Sequence, residues 1–106
     1  MGHEHVRESL EAFREEREWK QFHTPENLAK SISIESAELL ECFQWNADFD
    51  RAAVEEELAD ILTYAYFLAI ELELSPEDLI LKKLEVTKQK YPVEKAKGRS
   101  EKYTEF

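Results

Sequence analysis

The sequence predicts an all-α protein, an antiparallel bundle of about four helices per chain that is completed by subunit association. Three observations predict it: apolar residues recur at helical spacing, helix-forming residues dominate the composition, and only two Gly and three Pro occur. Chains rich in strands or loops usually contain more of both residues. The length of 106 residues corresponds to one domain, over residues 1–106, with a modest core.

The first two helices are delimited by apolar spacing and by capping residues. The first is predicted from about residue 6 to residue 20, where apolar residues form one stripe. The second follows Thr24, a good N-cap, has Pro25 in its first turn, and continues to about residue 45. Residues 46–50 are then expected to form a loop.

The third helix follows Asp50, its predicted N-cap, and continues to about residue 72. Residues 61–70 carry no charge on any face, so this helix must be covered all round. The run is too short to cross a bilayer, which takes roughly 20 apolar residues. We therefore expect the helix to pack against other subunits in a homo-oligomer, with a tetramer favoured over a dimer.

The fourth helix is marked at both ends. Ser75 is its predicted cap, Pro76 occupies its first turn, and acidic residues follow, which complement the helix dipole. Pro92 ends the helix, because proline disfavours helical backbone in the residue before it. Residues 92–106 form a polar tail rich in Lys and Arg.

The net charge is -10, from 24 acidic and 14 basic residues. Such a surface repels nucleic acid polymers and anionic membranes, so neither is expected as a partner. The charged N-terminus has no apolar signal region. The one cysteine, Cys42, excludes an intrachain disulfide and fits a reducing compartment, so we expect a cytoplasmic protein.

Four acidic residues form two pairs at helical spacing. Glu35 and Glu38 are three residues apart on the second helix, and Glu57 and Asp60 repeat that spacing on the third. Across an antiparallel helix pair, the two pairs can face each other. Carboxylate oxygens are the ligands that hard cations require. The pattern predicts a Mg²⁺ site, with Mn²⁺ as a possible substitute.

The helical wheel supports this interpretation, because Glu35 and Glu57 fall among apolar residues, where an unpaired carboxylate is costly. Such pairs also arise by chance in an acidic chain, which leaves a non-enzymatic acidic helical module that binds a protein partner as an alternative. A di-iron bundle is disfavoured, since no His lies three residues after a helical Glu. Glu41 is a further carboxylate that could assist catalysis near the site.

Several other side chains allow two interpretations. Trp19, Trp45 and Tyr64 are either ordinary packing residues or a stacking platform for a nucleobase. His23, before the second helix, makes either a local hydrogen bond or a base contact. Lysines crowd the fourth helix and the tail; most are expected to be solvated, but one or two could pair with a triphosphate.

Three segments together resemble a known family. The sequences QFHTPENLAKSISIESAELLECFQW, EEELADILTYAYFLA and KYPVEKAKGRSEKYTE occur in this order, over most of the chain. They resemble the MazG-like all-α nucleoside triphosphate pyrophosphohydrolases, and most nearly the dCTP pyrophosphatase branch. The resemblance implies hydrolysis of a (d)NTP between the α- and β-phosphates, an acid anhydride hydrolase of the EC 3.6.1 type, with a house-cleaning role toward deoxynucleotides.

The resemblance also assigns roles to residues. The metal ligands it implies are Glu35, Glu38, Glu57 and Asp60. The base pocket it implies is Trp19, Trp45 and Tyr64, with His23 close by, and the phosphate contacts are Lys83, Lys90 and Tyr91. We expect the attacking water to lose its proton to Glu38 or Glu41. Two residues depart from the family pattern: Ile34 stands where relatives often have a second Glu, and Thr87 where they often have Asn.

Overall fold

The structure is a computed structural model that describes residues 3–45 and 47–105, with side chains from residue 5 onward. The helices are α1 (His3–Glu16), α2 (Pro25–Glu41), α3 (Arg51–Glu71), α4 (Pro76–Lys90) and α5 (Val93–Ala96), with 3₁₀ turns at Lys20–Phe22 and Tyr103–Glu105. The described residues contain no strand, which confirms the predicted all-α class. None of the helices described is long and apolar enough to span a membrane.

The helix starts agree with the predicted capping residues. The hydroxyl oxygen of Thr24 accepts a hydrogen bond from the backbone N–H of Asn27 at 3.1 Å, which begins α2 with Pro25 in its first turn. The carboxylate of Asp50 accepts from the N–H of Ala52 at 3.0 Å and begins α3. Each side chain satisfies an N–H group that has no partner within its own helix.

The end of α1 differs from the prediction, because the helix stops at Glu16 rather than near residue 20. Glu18 takes a left-handed conformation with φ of 53°. This reversal lets the N–H of Glu18 bond the carbonyl of Glu15, and the N–H of Trp19 bond the carbonyl of Arg14, each at 3.0 Å. Glycine usually occupies such a position, so a glutamate gave no signal for this helix end.

Other boundaries also shift by a few residues. Helix α1 begins at His3 rather than near residue 6. Helix α2 ends at Glu41 rather than near residue 45, because the next three N–H groups bond carbonyls three residues back and tighten the last turn. Residues 47–50 are non-helical, as predicted, while residue 46 of that loop lies outside the described residues. The predicted polar tail contains α5 and the second 3₁₀ turn.

The chain divides after Ser75 into two compact units. In the first unit, α2 and α1 both pack against α3. The hairpin of α2 and α3 is antiparallel, because His23, just before α2, contacts Phe67 near the end of α3, with ring centroids 4.7 Å apart. The most buried apolar side chains belong to this end of the hairpin: Leu28, Phe67, Ala69 and Ile70.

The second unit contains α4, α5 and the C-terminal 3₁₀ turn. The rings of Tyr91 and Tyr103 meet edge to face, with centroids 5.9 Å apart. The ammonium nitrogen of Lys90 lies 4.9 Å from the centre of the Tyr103 ring. These contacts hold the last turn of the chain against the end of α4.

Candidate metal centre

The hairpin of α2 and α3 brings carboxylates from both helices together. Glu35 lies on α2 and Glu57 and Asp60 lie on α3, and each offers an oxygen within 4.8 Å of the others. Glu38, one turn after Glu35, is close enough to hydrogen-bond with Glu35 and with Glu57. The structure therefore places all four predicted ligands at one point of the helix pair. We call these four residues the carboxylate cluster.

Two oxygens of the carboxylate cluster are buried and lack hydrogen-bond partners. They are Oε2 of Glu35 and Oε2 of Glu57. A buried carboxylate oxygen normally accepts a hydrogen bond or contacts a cation, because its desolvation is costly otherwise. Both oxygens are thus suited to hold a positive ion.

The crowding of like charges alters the acidity of the carboxylate cluster. Hydrogen bonding to Glu38, burial, and the charges of Glu38, Asp60 and Glu57 raise the pKa of Glu35 from 4.5 to about 7. Burial, followed by hydrogen bonding to Glu38 and its charge, also raises the pKa of Glu57, although a hydrogen bond with Glu35 opposes this shift. Protonation is how a protein relieves such repulsion when no cation is bound.

The donor set of the carboxylate cluster fits a hard divalent cation. The grouped ligands are all carboxylates, with neither His nor Cys among the described residues of the group. Oxygen-only sites of this kind suit Mg²⁺ or Mn²⁺, whereas Zn²⁺ sites usually include nitrogen or sulfur. The buried oxygens of Glu35 and Glu57 that lack hydrogen-bond partners agree with a site for such a cation.

Glu41 stands apart from the carboxylate cluster. It is exposed at the last position of α2 and lines one side of an apolar cavity of about 510 Å³. The residues that line this cavity are Ala37, Leu40, Glu41, Phe43 and Gln44. Glu41 lies one helical turn beyond Glu38 and is not among the grouped carboxylates. Its catalytic role stays a prediction.

The three predicted base-stacking aromatics lie in different surroundings. Tyr64 is half-buried and follows Asp60 by one turn on the same face of α3. Trp19 is 42% exposed and meets the ring of Phe13 edge to face, with centroids 5.4 Å apart. Trp45 is 83% exposed. Both indoles thus offer ring surface to a ligand, but their role in base binding remains a prediction.

His23 is buried, and its ring packs against Phe67. Its Nδ1 is buried without a hydrogen-bond partner. Burial and the nearby positive charge of Arg14 lower the pKa of His23, although the carboxylate of Glu71 opposes this. His23 is therefore held in its neutral form near the end of α3, and its predicted contact with a base is untested.

The sequence did not predict an ion-pair network near His23, formed by Arg14, Lys20 and Glu71. Arg14 Nη1 donates to Glu71 Oε1 at 2.6 Å, and Lys20 Nζ lies 3.4 Å from the same oxygen. The Arg14 side chain is only 5% exposed. No local pattern predicts this contact, because Arg14 lies in a strongly charged stretch of α1 and its partner is 57 residues away.

The predicted phosphate contacts Lys83, Lys90 and Tyr91 all belong to the second unit. Lys83 lies beside an apolar cavity of about 390 Å³ on α4, and its carbonyl accepts a hydrogen bond from the Thr87 hydroxyl at 3.1 Å. Lys90 lies over the ring of Tyr103. Their contact with phosphates stays a prediction.

Comparisons with known proteins agree with this geometry. The model of the MazG-like family matches residues 30–106, which include the whole carboxylate cluster. A crystal structure of a pyrophosphatase from Archaeoglobus fulgidus superimposes with a TM-score of 0.78 and 44% sequence identity. That match covers 84% of this chain and 91% of the archaeal chain.

Mammalian relatives extend the similarity to nearly the full sequence. This chain is 36% identical to dCTP pyrophosphatase 1 of Mus musculus and 37% identical to that of Homo sapiens, over 97% of its length. It spans 66% of the length of both of these relatives. The family match over most of the chain, together with the helical fold and its paired carboxylates, shows that this protein belongs to the MazG-like family.

Proposed function

We propose that this chain is a Mg²⁺-dependent nucleoside triphosphate pyrophosphohydrolase, which converts (d)NTP and water to (d)NMP and diphosphate. The observation that carries the proposal is the carboxylate cluster, with its two buried oxygens that lack partners. A triphosphate cannot approach four carboxylates unless positive charge lies between them. The names of the mammalian and archaeal relatives, all pyrophosphatases, support the same reaction.

Glu35, Glu38, Glu57 and Asp60 would hold the divalent cation. A bound Mg²⁺ supplies positive charge to the phosphates and lowers the pKa of a coordinated water. One buried oxygen each of Glu35 and Glu57 has no hydrogen-bond partner within the chain, so both are suited to contact the cation. Mn²⁺, which prefers similar oxygen ligands, is the expected substitute.

In the proposed reaction, water attacks the α-phosphorus and the bond from that atom to the α,β-bridging oxygen breaks. Diphosphate leaves with the electrons of that bond. Glu38 or Glu41 accepts the proton of the water. Glu38 is the favoured base, because it is close enough to hydrogen-bond with Glu35 and Glu57, whereas Glu41 lies one turn further along α2.

The remaining predicted residues would bind the rest of the nucleotide. Trp19, Trp45 and Tyr64 offer ring faces for stacking a base, which typically contributes about 1–3 kcal/mol per base. Lys83 and Lys90, with Tyr91, would pair with the phosphates and stabilise the leaving diphosphate. We propose deoxynucleotides such as dCTP as the substrates, as the names of the mammalian relatives suggest. We also propose a house-cleaning role in the cytoplasm.

We also propose that the protein is a homo-oligomer, with a tetramer favoured over a dimer. Leu58 and Leu62 lie one turn apart on α3 and are 46% and 53% exposed. On α2, Ile34 and Leu40 are 59% and 72% exposed. Apolar surface on both helices of the hairpin is suited to contact with further copies. Leu62→Asp should reduce the size of the assembly measured by light scattering. A wild-type protein that is monomeric at micromolar concentration would contradict the proposed homo-oligomer.

The reaction is tested with a panel of NTPs and dNTPs in the presence of Mg²⁺, measuring pyrophosphate and orthophosphate separately. Wild type should release pyrophosphate. Glu57→Gln should reduce turnover at least about 100-fold, because it removes a ligand charge while circular dichroism stays near wild type. Glu56→Gln is the matched control. Glu56 precedes Glu57 in the sequence but is exposed and lies outside the carboxylate cluster, so activity should be unchanged.

Three outcomes would contradict the proposal. Full activity in Glu57→Gln would show that the ligand assignment is wrong. Absence of pyrophosphate from every nucleotide, with or without Mg²⁺, would favour the acidic interaction module instead. Release of orthophosphate alone would mean that a different phosphoanhydride bond is cut.

A further inference from the structure

The carboxylate of Glu71 binds two cations from the segment that precedes α2. Arg14 Nη1 and Lys20 Nζ lie 2.6 Å and 3.4 Å from the same oxygen, Oε1. The side chains of Arg14 and Glu71 are only 5% and 18% exposed, so this contact is shielded from water. Charge-assisted hydrogen bonds in such surroundings are stronger and more directional than those on the surface.

The two cations flank the turn that carries Trp19. Arg14 belongs to the last turn of α1, and Lys20 begins the 3₁₀ turn directly after Trp19. The backbone N–H of Trp19 donates to the carbonyl of Arg14 at 3.0 Å, which closes the reversal around Glu18. Trp19 is thus bonded through its backbone to Arg14 and adjoins Lys20, and the side chains of both residues contact Glu71.

The Trp19 side chain is tied to the same segment. Its ring meets Phe13 edge to face, and the guanidinium carbon of Arg17 lies 3.9 Å from the centre of the Phe13 ring. Phe13 and Arg14 are neighbours on α1, so a shift of Arg14 moves Phe13 and the indole together. Trp19 is 42% exposed, so ring surface remains free for a ligand while the indole also contacts Phe13.

Glu71 lies on the face of α3 that also carries the carboxylate cluster. Asp60, Tyr64, Phe67 and Glu71 are spaced four, three and four residues apart, which aligns them on one side of the helix. The rise of an α-helix separates Asp60 from Glu71 by roughly 16 Å, so both cannot ligate one ion. The helix α3 thus connects the proposed metal site rigidly to the attachment point of the Trp19 turn.

We propose that Glu71 is a positioning residue for nucleobase recognition: it anchors the turn that carries Trp19 to α3, and so fixes the indole relative to the carboxylate cluster. The inference rests on the proposed function, in which Trp19 stacks on the base. Glu71 itself touches neither the metal nor the phosphates. A loss of its charge should affect how well a base is bound and distinguished, and leave the hydrolytic step intact.

The test compares Glu71→Gln with Glu55→Gln over the four dNTPs with Mg²⁺. Glu55 is the matched control, because it is also ion-paired on α3, at 3.3 Å from Arg51, but is exposed. Glu71→Gln should raise KM for the preferred dNTP about tenfold, the effect of one weakened contact, with kcat within about twofold. Base preference should become flatter in Glu71→Gln and stay unchanged in Glu55→Gln.

A double-mutant cycle with Trp19→Ala separates positioning from a general effect on folding. If Glu71 acts through Trp19, the added Glu71→Gln change should have no further effect on KM in the Trp19→Ala background. Calorimetric titration with dCMP should show the same non-additivity without relying on turnover. Lys20→Met provides a milder variant in case Glu71→Gln folds poorly, because the Lys20 side chain is 71% exposed; KM should rise less, in the same direction.

The outcomes are distinct. An equal loss for all four dNTPs, additivity with Trp19→Ala, or kinetics like those of Glu55→Gln would overturn the positioning role while the hydrolase activity stands. A wild-type protein that releases no pyrophosphate from any dNTP would overturn the proposed function, and the positioning role with it.

Discussion

Helix α3 carries two groups of carboxylates that the protein treats in opposite ways. Near its end, Glu71 contacts Arg14 and Lys20, so its charge is compensated by the chain itself. In its first half, Glu57 and Asp60 face further carboxylates from α2, and the nearest charges all have the same sign. The contacts of Glu71 stabilise the fold, whereas the like charges in the carboxylate cluster repel one another. The same helix therefore carries one carboxylate whose charge is paired within the chain and two whose nearest neighbours are other carboxylates.

The largest expected effect comes from breaking the compensated group. Arg14→Met removes the guanidinium that lies over the Phe67 ring and leaves Glu71 paired only with the exposed Lys20. Removing one partner of a buried ion pair leaves an uncompensated charge, so the free energy of unfolding should fall by about 3 kcal/mol. Urea denaturation measures this change.

The matched control for that measurement is Arg51→Met, which breaks an exposed ion pair with Glu55 on the same α3. Exposed pairs contribute little, so the free energy of unfolding should change by no more than about 0.5 kcal/mol. Equal effects of both substitutions would mean that the burial of Arg14 has no energetic consequence.

A smaller effect of opposite sign is expected in the carboxylate cluster. In metal-free protein at pH 8, Glu35→Gln should raise the melting temperature, because it removes one negative charge from a group of four. Added Mg²⁺ should raise the melting temperature of wild type more than that of the variant. Glu26→Gln, on the exposed start of α2, is the control and should give no increase. A lower melting temperature for metal-free Glu35→Gln would contradict this account of the cluster.

The last predictions are pH dependences of stability, whose signs differ between Glu35 and His23. The pKa of Glu35 is raised to about 7, so the folded protein binds more protons than the unfolded chain above pH 4.5. Its contribution to stability therefore declines as the pH rises from about 4.5 to about 7. The pKa of His23 is lowered below 6.5, so the unfolded chain binds the extra proton, and this contribution increases as the pH rises toward 6.5.

Thermal melts of metal-free protein across this pH range would resolve the two contributions. Glu35→Gln should remove the decline, and His23→Asn should remove the increase. A decline that persists unchanged in Glu35→Gln would show that other carboxyl groups are responsible for it.

The sequence predicted the starts of α2, α3 and α4 and the grouping of four carboxylates, for physical reasons that are local. Caps such as Thr24 and Asp50 act within three residues, and the apolar surroundings of Glu35 and Glu57 follow from helical periodicity. The end of α1 was missed because Glu18 occupies a conformation that glycine usually marks. The contact of Arg14 with Glu71 was missed because it forms only once the helices pack.

The left-handed glutamates also show where this small domain could be strengthened. Glu73 has a φ of 59° after α3, as Glu18 has after α1, and neither belongs to the carboxylate cluster. A side chain in that conformation costs about 1 kcal/mol relative to glycine. Substitutions at these two helix ends could therefore raise stability and offset the repulsion among the acidic side chains of the carboxylate cluster.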